Sequence, residues 1–87
     1  MLTKEQVRSS LSNWFEANSI EAFDTITDEQ WQVYCDLIDS YASGKYCDCG
    51  WQWLIESKLI EAGCSDRLSF VLSVVRDDVA KAESVGV

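Results

Sequence analysis

Apolar residues recur along this chain at the three- and four-residue spacing of amphipathic helices rather than the two-residue alternation of strands. Val7, Leu11, Trp14 and Phe15 share one arc and predict a first helix over residues 4–17. Trp31, Tyr34, Cys35, Ile38 and Tyr41 predict a second over 28–42. Trp51, Leu54, Ile55, Leu59 and Ala62 predict a third over 49–62, with Trp53 and Ile60 pointing away. Leu68, Val71, Leu72, Val75 and Val79 predict a fourth over 66–83. The run "SFVLSVV" is β-branched enough for a strand, but its apolar period favours a helix. The segment "NSIEAFDTI" between the first two helices reads as an acidic connector pinned by Ile20 and Phe23. The expected fold class is therefore all-α, a small single-domain bundle of about four amphipathic helices.

The chain contains no proline, so caps and glycines must delimit the helices. "LTKEQV" offers Thr3 as N-cap, Gln6 as its capping-box partner and Leu2 with Val7 as a hydrophobic staple. "ITDEQW" repeats the device with Thr27, Gln30, Ile26 and Trp31. Ser65, followed by Asp66, caps the fourth helix, while Gly44 and Gly63 can take the left-handed conformation that ends a helix.

Trp53, Ile60, Phe70 and Val74 fall off the main apolar arcs. A second apolar face on so small a bundle calls for a further covering layer, the first helix, a second copy or a partner, and for so short a chain an intermolecular contact is favoured, with a homodimer as one candidate assembly. Eighty-seven residues form one domain with a modest core, which four tryptophans, three tyrosines and three phenylalanines help to fill. The first ten residues lack the basic and apolar pattern of a secretory leader, and no stretch reaches a membrane span. A cytoplasmic protein with free thiols is the expectation.

Charge narrows the choice of partner. The net charge is −8, which disfavours direct binding of nucleic acid or anionic lipid. The first eight residues carry +1, residues 9–44 carry −7 with no lysine or arginine, and the remainder carries −2. Asp28, Glu29, Asp36 and Asp39 lie on one side of the second helix, extended by Glu16, Glu21 and Asp24. Such a stripe either keeps a small protein soluble or meets a basic patch on another protein. Glu21, Asp24, Asp28, Glu29, Asp36 and Asp39 are thus candidate partner-binding residues, with Trp53 and Ile60 as apolar anchors.

Catalytic and metal chemistry find little support. Histidine is absent, and no nucleophile, base and orienting group stand together, so no enzyme activity and no cofactor are expected. Lys58 falls inside the apolar arc of the third helix, where a snorkelling stem accounts for it. A four-thiolate zinc site would have to use Cys35, Cys47, Cys49 and Cys64, at spacings unlike the paired knuckles of zinc ribbons. Cys35 and Cys64 are better explained as core residues. "KYCDCGWQW" then reads as a helix entry in which Asp48 caps, Gly50 permits close packing and Trp51 anchors. No aspartate-rich loop closes with a glutamate as an EF-hand requires.

In size, acidity, helicity and lack of catalytic residues, the chain resembles the small inhibitors encoded by phages and other mobile elements, including anti-CRISPR proteins and DNA mimics. That resemblance implies a protein that blocks a basic nucleic-acid-handling partner. Two other readings stand beside it, a small four-cysteine zinc-binding domain and a dimeric structural adaptor whose acidic face only solubilises it.

Overall fold

Every secondary-structure element among the described residues is an α-helix. The structure, a computed structural model, describes residues 2–43 and 50–85, with side chains through residue 82. In chain order the helices are α1 (Lys4–Trp14), α2 (Ala17–Asp24), α3 (Asp28–Ser43), α4 (Trp51–Glu61), α5 (Asp66–Val74) and α6 (Arg76–Val85).

The capping devices form as the sequence predicts. Thr3 Oγ1 accepts from the Gln6 amide at 3.2 Å while Gln6 Oε1 accepts from the Thr3 amide at 2.8 Å. The same reciprocal pair joins Thr27 and Gln30, both bonds at 3.1 Å. Ser65 Oγ accepts from the Leu68 amide at 3.2 Å and starts α5. Leu2 and Ile26, the residues preceding the two capping threonines, are buried in the core as staple members should be. Helix α4 ends in a Schellman motif: Gly63 takes φ +98°, its amide bonds the Ile60 carbonyl, and the Cys64 amide bonds the Leu59 carbonyl, both at 3.0 Å.

Among the described residues six helices replace the four expected. The connector is helical because tertiary packing supplies what its sequence lacks. Glu16 precedes α2 without a side-chain cap bond, yet Phe23 and Ser19 are buried and α2 packs against α1 and α5. The predicted fourth helix breaks at Val75. In an unbroken helix the carbonyls of Leu72 and Ser73 would accept from the amides four residues on. Here Tyr34 Oη donates to the Leu72 carbonyl at 3.0 Å, and Arg76 Nη1 donates to the Ser73 carbonyl at 2.9 Å. Ser73 Oγ also donates back to the Phe70 carbonyl at 2.7 Å, a bond that bends helices. The competing donors divide the segment into α5 and α6.

The first helix ends at Trp14, three residues early, because Phe15 is extended at φ −133°, ψ 164°. Trp14 accordingly leaves the core, against the expectation of an inward face, and is 62% exposed. Its indole N–H donates to Asp78 on α6. The capping role expected of Asp48 lies outside the described residues; α4 begins at Trp51 after Gly50.

One core unites the helices. Val7 and Leu11 of α1, Phe23 of α2, Tyr34, Ile38 and Tyr41 of α3, Ile55 and Leu59 of α4, Leu68, Val71 and Leu72 of α5, and Val79 and Ala80 of α6 are all buried in it. The closest neighbours are α4 with α5, then α3 with α6 and α4. Aromatic edges organise one end, where Phe23 meets Trp31 at 6.0 Å and 73°. Tyr41 meets Trp51 at 5.4 Å and 75° toward the other end of α3.

Candidate functional site

The acidic residues begin at the corner between α2 and α3. Glu16, Glu21, Asp24, Asp28, Glu29, Asp36 and Asp39 are all exposed. On α3, residues 29, 32, 36 and 39 recur at three- and four-residue intervals and therefore line one side of the helix. Gln32 Nε2 donates to Asp36 Oδ1 at 3.0 Å along that line.

The charge block is not unopposed. Lys4 and Arg8, one turn apart on α1, reach the α2–α3 corner from the far end of its sequence. Arg8 forks onto Asp24, with Nε to Oδ1 at 3.1 Å and Nη2 to Oδ2 at 3.3 Å. The hydrogen bond and the charge of Asp24 hold the Arg8 guanidinium above its ordinary pKa. Lys4 Nζ lies 3.7 Å from Asp28 Oδ1 and 6.0 Å from the centre of the Trp31 ring. Asp24 and Asp28 thus belong to the molecule's own ion pairs. Glu21, Glu29, Asp36 and Asp39 have no cationic partner among the described residues.

The second apolar face lies on α4 and α5. Trp53 is 70% exposed, Phe70 46% and Ile60 42%, whereas Ile55 and Leu59 of the same α4 helix are fully buried. Gln52, Trp53, Glu56 and Phe70 line one open groove of about 530 Å3. Spacing on α4 singled out Trp53 and Ile60; Gln52 and Glu56 join the groove only because α5 brings Phe70 alongside. Lys58 is exposed and pairs with Glu61 at 3.7 Å, as a surface stem does. A smaller depression of about 280 Å3 lies along α1, lined by Glu5, Arg8, Ser9 and Ser12, with Arg8 committed to Asp24.

The cysteines divide between core and loop. Cys64 is buried against the core in the Schellman turn, and burial pushes its thiol pKa up. Cys35 is half-buried and packs on the same core. Cys47 and Cys49 lie outside the described residues. Among the described residues no three histidine, cysteine or acidic side chains gather in a metal-ligating group.

A further polar cluster ties α6 to the bundle. Arg76 is buried, its guanidinium 5.9 Å from the Tyr41 ring centre. The Tyr41 hydroxyl donates to Asp77, and the Trp14 indole donates to Asp78. Three successive residues at the start of α6 thus each engage an aromatic side chain, an arrangement that fixes the helix rather than presenting reactive groups to solvent. Sequence periodicity could not reveal it, because the partners lie 36 and 64 residues away.

No helix among the described residues is long and apolar enough to cross a membrane. Comparison with protein-family models, curated proteins and solved structures finds no match to this chain.

Proposed function

We propose that this protein is a non-enzymatic binding module that docks on a basic protein partner through the acidic side of α3, as a small inhibitor of the phage or mobile-element kind would. Its target, on this reading, is a protein whose basic surface handles nucleic acid. The observation that carries the reading is that Glu21, Glu29, Asp36 and Asp39 are exposed and, among the described residues, without a cation, while Lys4 and Arg8 serve Asp28 and Asp24. Uncompensated carboxylates along one helix face create a directional field that attracts a positive surface and speeds its association. Trp53 and Ile60 supply exposed apolar area of the kind that anchors interfaces.

The decisive experiment replaces Glu29, Asp36 and Asp39 by Gln, Asn and Asn. The variant should fold as the wild type does, since none of the three side chains is buried and none is ion-paired among the described residues. Wild-type protein should capture a basic nucleic-acid-binding protein at low salt, release it as salt rises and displace its nucleic acid. The triple variant should do none of these. Equal capture by the two proteins would sink the acidic-face mechanism.

A further inference from the structure

The α4–α5 groove has one charged lining residue, Glu56. Two of its walls are the exposed aromatic side chains of Trp53 and Phe70, whose ring faces are the negative poles of their quadrupoles. A third is the carboxylate of Glu56, half-buried and without an ion-pair or hydrogen-bond partner among the described residues. The fourth, Gln52, offers an amide oxygen. Trp53 and Glu56 stand three residues apart on one side of α4, so the aromatic ring and the carboxylate flank the same space.

From these walls we infer that the groove seats an arginine side chain of the basic partner, its guanidinium over Trp53 and paired with Glu56, its aliphatic stem against Phe70. Arginine suits the site because its planar cation stacks on aromatic rings, pairs with carboxylates and is weakly hydrated. A second copy of this chain suits it poorly. Two molecules of charge −8 repel, and a symmetric contact through this face brings Glu56 toward a surface of its own sign. The inference rests on the acidic-module reading only for the partner's positive charge; the seat itself is separate from the α3 carboxylates.

The test uses the full chain and two blocked pentapeptides, acetyl-Gly-Arg-Gly-Arg-Gly-amide and its citrulline counterpart, which keeps the shape but removes the charge. The readout is the Trp53 indole N–H resonance, assigned by its loss in Trp53→Phe, and the Gln52 side-chain amide. The arginine peptide should shift both saturably at low salt, and the citrulline peptide should not. Glu56→Gln should weaken binding roughly tenfold, and Trp53→Ala, followed at Gln52, by a similar factor. The remaining indole resonances serve as the control for folding. Retention of the Trp53 shift in the Glu29→Gln, Asp36→Asn, Asp39→Asn variant would uphold the seat even if the α3 mechanism failed. Three results would each overturn it: peptide-induced shifts confined to the α3 carboxylates, no shift at all, or a Trp53 shift that follows protein concentration without peptide, which would make a second copy the occupant.

Discussion

The Tyr34 hydroxyl, buried at the centre of α3, donates to the main-chain carbonyl of Leu72 at 3.0 Å. This bond joins two helices 38 residues apart in sequence and falls at the point where α5 gives way to α6. Burial, the nearby Cys35 and, in opposition, Arg76 together hold the Tyr34 phenol far above its ordinary pKa.

Two consequences follow for Tyr34. Tyr34→Phe should lose about 1–2 kcal/mol at pH 7, the worth of a buried hydrogen bond whose acceptor is left behind. The pH response carries a definite sign. The fold retains the phenolic proton above about pH 10, where the unfolded chain releases it, so stability is full below that pH and declines above it. Urea unfolding between pH 7 and 11 should show a slope approaching about 1.4 kcal/mol per pH unit from this group, absent in Tyr34→Phe. Parallel alkaline slopes for the two proteins would contradict the assignment.

Gln30 serves two helix ends, accepting from the Thr27 amide at α3 and donating from Nε2 to the Ala62 carbonyl at 3.3 Å beyond α4. A Cβ on Gly63 would come within 3.2 Å of that nitrogen on a backbone already at φ +98°. Gly63→Ala should therefore cost about 1–2 kcal/mol, since a side chain is strained in this conformation. In a Gln30→Ala background the cost should be smaller, because the steric part disappears. A double-mutant cycle by chemical denaturation measures the coupling, and a value of zero would remove Gln30 from the explanation.

Ser19 on α2 and Ser69 on α5 are fully buried, and neither hydroxyl has a hydrogen-bond partner among the described residues. Both side chains are small enough for a tightly packed interior, but the unpaired hydroxyls lower stability. Ser69→Ala should raise stability by about 0.5–1.5 kcal/mol, a rise in melting temperature of several degrees for a domain of this size. Ser69→Leu should destabilise by overpacking the same buried position. Calorimetry showing a lower melting temperature for the alanine variant would mean that the hydroxyl is satisfied after all.

Cys64 combines burial with a raised thiol pKa, two features that suppress its thiolate. Brief iodoacetamide pulses at pH 8, read by peptide mass spectrometry, should leave Cys64 unmodified in the native protein and modify it fully in urea. Rapid native labelling would show that the turn after α4 opens readily.

What the sequence by itself determined are the features set by residues three or four apart. The capping boxes at Thr3 and Thr27, the Ser65 cap, the glycine end at Gly63 and the buried apolar positions of α3, α4 and α5 were legible because their physics closes within one helical turn, whereas the buried Ser69 and Ser73 were not. Leu59 went in and Trp53 stayed out as period alone requires. Tertiary structure decided the rest. It made a helix of residues 17–24, which have no cap signal, by burying Phe23 and Ser19 against other helices. It broke the last helix at Val75, where Tyr34 and Arg76 compete for the carbonyls of Leu72 and Ser73. It turned Trp14 outward to Asp78 and folded Lys4 and Arg8 over Asp28 and Asp24, leaving Glu21, Glu29, Asp36 and Asp39 without a cationic partner among the described residues. Apart from the local bond from Arg76 to Ser73, those partners lie between 16 and 64 residues apart, so only the packing of the helices on one core brings them within reach.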